Sequence, residues 1–519
     1  MTRVEVAIVG AGFAGIGMAM ALRRAGREDF LVLERGASVG GTWRDNTYPG
    51  VACDVPSHLY GFAAHPNPTW SGTYAKGAEI HSYLEHVVEV EGLSDRVRLR
   101  TTMRGAEWDA AHAVWRISTS PTGASRQPPG HHAAPSGRPG ETDDDVIVAD
   151  VLVLACGRLT EPTIPRIAGL EQFPGPLFHS ARWDHSADLT GARVGVVGTG
   201  ASAVQIVPEL VKTAAFVKVF QRTPGWVMPR LDVATPRRAQ TLFAKVPAAQ
   251  RLARQALYWG HEASATALVW DTPLTGLVAR LSKAHLHRQV KDPWLRRQLT
   301  PDFTPGCKRM LISSDYYPAL QKDNCKLIDW PIATMSPVGI RTSDGIEHHL
   351  DAIVFATGYD VHLTGPPYPV RGLGGRSLSQ EWATGAQAYK SINAHGYPNL
   401  FFMTGPNSGP GHNSLLVYVE GQLDYAVSGI TTILRENLKY LDVRKDIQDR
   451  YNEHIQKRLT KTTWMSGCSS WYLTADGFNA SMYPGFATQY LRQMRDFRYP
   501  DYVAVEHSAR AGSGALSSA

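Results

Sequence analysis

Val4-Glu-Val-Ala-Ile-Val9, then Gly10-Ala-Gly-Phe-Ala-Gly15, an alanine-, leucine- and methionine-rich run to Arg24, and Phe30-Leu-Val-Leu33 with Glu34 at its end: this order describes a strand, a glycine turn, a helix and a second strand. Gly10, Gly12 and Gly15 let backbone approach a pyrophosphate at a helix N-terminus, and Glu34 stands where a carboxylate can take ribose hydroxyls. GxGxxG alone is a weak signal. Here strand, helix and acid all fall where the binding mechanism needs them, so the chain is expected to open with a dinucleotide-binding βαβ unit.

The same pattern returns further on. Val194 to Val197 leads into Gly198-Thr-Gly-Ala-Ser-Ala203, then a helical stretch, then Val217 to Phe220. Gly198, Thr199, Gly200 and Ser202 make the second glycine loop. Arg222 stands as far beyond Gly198 as Glu34 stands beyond Gly10, and Thr223 follows it. A carboxylate there would repel a 2′-phosphate, whereas an arginine and a hydroxyl bind one, so the second site is expected to prefer NADPH to NADH. A repeat of apolar strands reinforces the pairing: Asp150-Val-Leu-Val-Leu-Ala-Cys-Gly157 matches Asp351-Ala-Ile-Val-Phe-Ala-Thr-Gly358.

Composition sets the frame. A chain of 519 residues with 43% apolar residues is too long for one core and implies two or three domains. Five cysteines, Cys53, Cys156, Cys307, Cys325 and Cys468, contain no CxxC. That spacing indicates neither a disulfide framework nor a metal site, and it suits a reducing, cytoplasmic setting. The formal charge of +6 does not argue for nucleic acid. Val6 to Leu22 is apolar or glycine, but its glycines serve a turn and weaken a spanning helix, so no membrane span is expected. Ser120 to Asp145 is rich in Pro, Gly, Ser and His and reads as an extended loop in which His131 and His132 are solvated. Pro236 to Thr300 reads as a helical insertion carrying eleven Lys or Arg against three acids, with a basic solvated face over an apolar one.

Two further stretches carry a family signature. Phe173-Pro-Gly-Pro-Leu-Phe-His-Ser-Ala-Arg-Trp-Asp184 has the spacing FxGxxxHxxxWD; read from its residues alone it is a linker. Gly40-Gly-Thr-Trp-Arg-Asp-Asn-Thr-Tyr-Pro-Gly-Val-Ala-Cys-Asp54 has the spacing GGxWxxxxYPGxxxD. Together they resemble the fingerprints of the type I Baeyer-Villiger monooxygenases, and the opening unit is similar to the FAD site of flavoproteins with two dinucleotide domains.

The resemblance implies an α/β fold of glutathione-reductase type. It has two Rossmann-like domains: FAD-binding segments at 1–160 and 375–505, an NADPH-binding domain at 161–374 with the helical insertion at 236–300, and a tail at 506–519. It places Thr42, Trp43, Asp54 and Tyr60 along the flavin, and Lys308 at the 2′-phosphate. Arg309 becomes the catalytic cation, with Asp54 positioning it. Trp471 is the candidate donor to the nicotinamide ribose. The implied reaction uses NADPH and O2 to convert a hydrophobic ketone to an ester or lactone by way of a flavin C4a-peroxide. A monooxygenase of sulfur or nitrogen and a non-catalytic or oxidase-like flavin protein are the alternatives. A disulfide reductase would need a redox cysteine pair near the flavin, and none is expected. Neither a particular ketone nor an oligomeric state follows from these residues.

Overall fold

The structure, a computed structural model, describes residues 1–122, 145–361 and 366–507. Most of the expected 120–145 loop, with His131 and His132, and nearly all of the expected tail lie outside those residues. Strand β1 (Thr2–Val9) runs into helix α1 (Phe13–Arg24) and strand β2 (Phe30–Leu33). From Met18 on the helix is made of strong helix formers, and it ends on Arg23 and Arg24, cations at the negative end of its dipole. Strands β3 (Val97–Arg98), β4 (Thr101–Asp109), β5 (Val114–Pro121) and β6 (Asp145–Leu154) complete the first half.

The next strands build a second sheet. They are β7 (Leu177–His179), β8 (Arg193–Val197), β9 (Phe216–Phe220), β10 (Cys325–Ile328) and β11 (Ala352–Phe355), with helix α2 (Ala203–Leu210) following β8. Their spatial order is β10-β9-β8-β11-β7, parallel throughout. Both faces are covered, which is why these strands read as unbroken apolar runs. The chain then returns to the first sheet through β12 (Val370–Arg371) and β13 (Leu400–Phe402), giving the order β12-β4-β5-β6-β1-β2-β3 with β13 beside β6. Residues 145–149 of β6 pair antiparallel with β5, while 152–154 pair parallel with β13.

The internal repeat has a structural counterpart. β6 flanks β1 as β11 flanks β8, and Asp150 and Asp351 pair with arginines that begin the neighbouring strands, Arg3 at 2.9 Å and Arg193 at 2.6 Å. Hydrogen bonds from Arg193 draw the Asp351 carboxyl down to about 2. Gly10 and Gly198 both have positive φ, +104° and +116°, and a Cβ on either would lie 2.5 or 2.4 Å from the carbonyl oxygen of Ala155 or Ala356 at the repeated strand's end. Only glycine fits in either place.

The stretch from Phe173 is not a linker. Its Leu177–His179 forms the edge strand β7, with His179 in register with Phe355, and the turn Ser180–Arg182 follows. Its prolines and glycine hide a strand that the sheet beside it induces. His179 is buried, its Nδ1 accepting from the Ala181 N–H at 3.0 Å, and burial lowers its pKa to about 4. Unfolded, the ring takes a proton near pH 6.5; folded, it resists until about pH 4. The stability held by the neutral ring is present above about 6.5 and lost as pH falls towards 4. His179→Asn, which keeps an acceptor but does not titrate, should remove about 3 kcal/mol of the stability difference between pH 7 and pH 4. Denaturant unfolding at the two pH values measures it, and equal wild-type and variant differences would mean the ring is not held neutral.

The insertion consists of α3 (Arg237–Lys245), α4 (Pro247–Leu268), α5 (Pro273–Gln289) and α6 (Pro293–Gln298). The face expected to be basic and solvated is mixed: Leu252 and Trp259 are exposed beside Arg251, while Arg254 turns inward to Glu420 at 3.0 Å and to the carbonyls of His58 and Gly61. Among the described residues no helix is long and apolar enough to cross a membrane.

Candidate active site

Asp54 and Arg309 come from opposite halves of the molecule and meet. Arg309 donates from Nε and Nη2 to Asp54 Oδ2 at 2.9 and 2.7 Å, across 255 residues of sequence. Asp54 ends the glycine-, proline- and aromatic-rich loop of the first half; Arg309 stands in the loop before the short strand Leu311–Ile312. The Asp54 charge raises the pKa of Arg309 above its already high ordinary value, so the guanidinium is a permanent cation. It makes no further hydrogen bond among the described residues, which leaves donors for an incoming oxygen.

The first nucleotide loop fits FAD. Glu34 is buried at the end of β2; its Oε2 accepts from the Ala11 N–H at 2.8 Å and its Oε1 from the Gly36 N–H at 2.6 Å and from Arg44 at 2.7 Å. Gly12 faces Gly41 across the turn, where a Cβ on Gly41 would come within 3.1 Å of the Gly12 Cα and fill the cradle. Thr42 and Trp43 lie in the short helix Thr42–Asp45 that follows. Trp43 donates its indole N–H to the Tyr60 hydroxyl at 3.2 Å, and their rings meet edge to face. Burial raises the Tyr60 pKa, so the phenol keeps its proton.

The second loop fits a phosphorylated dinucleotide. A Cβ on Gly200 would meet nothing within 4 Å, so the turn is open to a ligand. Thr199 donates to the Thr223 carbonyl at 3.0 Å, and Ser202 precedes α2. Arg222 is exposed just past β9. The Lys308 ammonium sits 4.8 Å over the Phe303 ring; burial lowers its pKa, and the charge of Arg222 lowers it further. Two cations that repel each other at rest make a site that a dianionic phosphate relieves.

Trp471 is 42% exposed and packs edge-on against Tyr472 at 4.4 Å. Tyr472, which sequence reasoning passed over, is buried in the same site: burial pushes its pKa up to about 12, with Arg309 acting against that rise and Asp54 with it. Glu262 was missed as well. It is buried on α4 and accepts from His412 at 3.2 Å, Asn413 at 3.3 Å and the Ala487 and Thr488 N–H groups, fastening the insertion to the returning chain. Burial alone would raise its pKa, but bonds from His412 and Thr488 bring it down to about 2. The available signal was an isolated acid in a basic segment. Arg158, beside the repeated strand's end, donates to the Thr404 and Ser481 carbonyls at 2.8 and 2.9 Å, and burial lowers its pKa to about 10.

The cysteine expectation is corrected. Cys307 and Cys468 form a disulfide, with Cα atoms 6.2 Å apart and a sequence separation of 161 residues. No short spacing could signal it, because the returning chain alone brings the two together. Cys53, Cys156 and Cys325 are free. Among the described residues no group of three or more His, Cys, Asp or Glu could hold a metal ion.

The chain is similar to known proteins along nearly its whole length. Residues 3–245 match the family model described as flavin-binding monooxygenase-like. The chain is 40% identical over 495 residues to a Baeyer-Villiger monooxygenase of Pseudomonas aeruginosa, covering 95% of this chain and 90% of that protein. It is 40% identical over 507 residues to a Baeyer-Villiger monooxygenase of Streptomyces coelicolor, covering 97% and 93%. Among solved structures, an oxidised steroid monooxygenase bound to NADP is 28% identical, with a TM-score of 0.84 over 98% of this chain and 100% of that one. With two nucleotide loops on two sheets and relatives this similar along nearly its whole length, the chain belongs to the Baeyer-Villiger monooxygenases.

Proposed function

We propose that the site converts a hydrophobic ketone to an ester or lactone, with Arg309 as the catalytic cation and Asp54 as the residue that positions it. The observation that carries this is the Asp54–Arg309 pair, which puts a permanent charge where the FAD-type loop meets the NADPH-type unit. FAD, when bound, accepts hydride from NADPH and activates O2; the protein's own part is electrostatic and steric. Arg309 offers guanidinium donors to oxygen atoms on which negative charge develops. Asp54 fixes the plane of that guanidinium. Trp43 and Tyr60, locked to each other, wall the first cofactor's site against water. Arg222, Thr223 and Lys308 hold the 2′-phosphate, and Trp471 is the candidate for the nicotinamide ribose.

Buried Tyr472, whose charge environment includes Arg309 and whose ring centre lies 6.4 Å from that of buried Trp464, favours an apolar substrate. The test is product analysis. With NADPH, 18O2 and a panel of cyclic and aryl ketones, one labelled oxygen should enter each ester and one NADPH should be consumed for each. Sulfoxide from thioethers with no ester from any ketone would instead favour sulfur oxygenation.

A further inference from the structure

We infer that Cys307 and Cys468 are a reversible dithiol–disulfide site, oxidised by a peroxide and reduced by a thiol, whose closed state positions Arg309 and the Trp471 segment for coupled turnover. Cys307 directly precedes Lys308 and Arg309; Cys468 stands three residues before Trp471 and four before Tyr472. One bond therefore joins the loop that bears both active-site cations to the segment that carries Trp471 and Tyr472.

Between its anchored start and Tyr472, which is buried in the core, the segment has little else to hold it. Thr463 anchors its start, its N–H donating to the Val269 carbonyl at 2.9 Å and its hydroxyl to the Leu268 carbonyl at 2.7 Å. Gly306 packs against the same place: a Cβ on it would meet the Leu268 oxygen at 2.6 Å and the Thr463 hydroxyl at 2.8 Å. From Gly467 to Ser470, among the described residues, the hydrogen bonds made are local ones to Tyr472 and Leu473, and Ser466, Gly467 and Ser469 are exposed. Across that stretch the disulfide is the tether. Opening it frees the chain from Ser466 to Trp471 while leaving the Thr463 anchor on one side and Tyr472 on the other.

The chemistry has a defined direction. Cys307 is fully buried and Cys468 partly exposed, so an external thiolate attacks the Cys468 sulfur and the Cys307 thiolate leaves. Lys308 and Arg309, the next two residues in sequence, make the loop around that leaving group cationic. A second thiolate then resolves the mixed disulfide, and the reductant is oxidised to its own disulfide. In the other direction the two thiols give up two electrons and two protons to a peroxide, its O–O bond breaks, and two waters form. Hydrogen peroxide is what an NADPH- and O2-consuming site releases when no substrate receives the oxygen. The remaining thiols do not compete: burial raises the pKa of Cys53, of Cys156 to about 11 and of Cys325 to about 12.

The positioning half of this inference rests on the Baeyer-Villiger reading; the redox half does not. The full-length holoenzyme is treated with hydrogen peroxide or with dithiothreitol, denatured, alkylated and weighed. Two more cysteines, mapped to 307 and 468, should be labelled after reduction. Chymotrypsin should cut native protein at Trp471 and Tyr472 several-fold faster in the reduced form. Hydrogen peroxide released per NADPH should rise several-fold on reduction and return to its starting value on reoxidation. Cys468→Ser should behave as reduced protein in either reagent, and Cys468→Ala should match it. Free thiols at both 307 and 468 after peroxide treatment, or cleavage and peroxide yield indifferent to redox state, would overturn the proposal. If labelling and cleavage switch but no ketone yields ester, the redox site stands and the Baeyer-Villiger reading fails.

Discussion

Arg309→Ala should lower the rate of ester formation by about 10²- to 10³-fold, the usual cost of removing one preorganised electrostatic donor, while NADPH is still consumed and hydrogen peroxide accounts for nearly all of it. The asymmetry is the informative part. In the proposed reading hydride delivery depends on the second glycine loop and its phosphate cations, and none of those residues is changed. In the same reading oxygen delivery to a ketone depends on a charge held beside the reacting oxygen, the charge of Arg309, which the fold brings across 255 residues to Asp54. Arg309→Lys should recover a part only, because an ammonium keeps the charge but loses the planar fork that binds one carboxylate oxygen twice. Asp54→Asn should fall between wild type and Arg309→Ala, since it frees the guanidinium without deleting it. Oxygen-electrode and product assays on the same samples decide the matter: ester at wild-type rates from Arg309→Ala would end the catalytic assignment.

The second large effect concerns the nicotinamide cofactor. Arg222→Ala should reduce the ratio of kcat/KM for NADPH over NADH by about 10- to 100-fold, the range of one hydrogen bond to a charged group, with most of the change in KM for NADPH. Lys308→Ala should do the same. The double variant should lose less than the product of the two, because Arg222 and Lys308 repel each other when no phosphate lies between them, so removing either relieves the other. Arg222 is exposed, and its share should shrink as ionic strength rises. Steady-state kinetics with both cofactors at two salt concentrations test this, and an unchanged ratio in both single variants would place the 2′-phosphate elsewhere.

What could be read from the sequence follows physical range. The two glycine loops were legible because a turn, a helix start and an acid or a base at the next strand's end are local requirements that glycine and charge satisfy openly. The repeated strands were legible because burial on both faces leaves unbroken apolar runs. The Asp54–Arg309 pair was legible only through the family signature, since no spacing rule connects two loops so far apart along the chain. Four features were not legible, each for a stated reason. Leu177–His179 lies in a stretch whose prolines and glycine conceal a strand that only its neighbour β11 induces. Tyr472 looks like any core aromatic until Arg309 is placed beside it. Glu262 reveals its role only when His412 and Thr488 arrive to bond it. The Cys307–Cys468 bond needs the chain's return, which composition does not announce.

The switch of partners along β6 bears on how the protein is made. Leu152 to Leu154 receive β13 only when Leu400–Phe402 exist, whereas every strand of the second sheet lies between Leu177 and Phe355. On a ribosome the second sheet can therefore close first, while the earlier one waits with the apolar edge of β6 unsatisfied. Roughly 250 residues separate that edge from its partner, an interval of roughly ten to fifty seconds at ordinary translation speed. Through that interval the nascent chain carries an open strand edge of the kind that pairs with neighbouring chains, so the yield of soluble enzyme should be governed by synthesis rate and temperature more than by the stability of the finished fold.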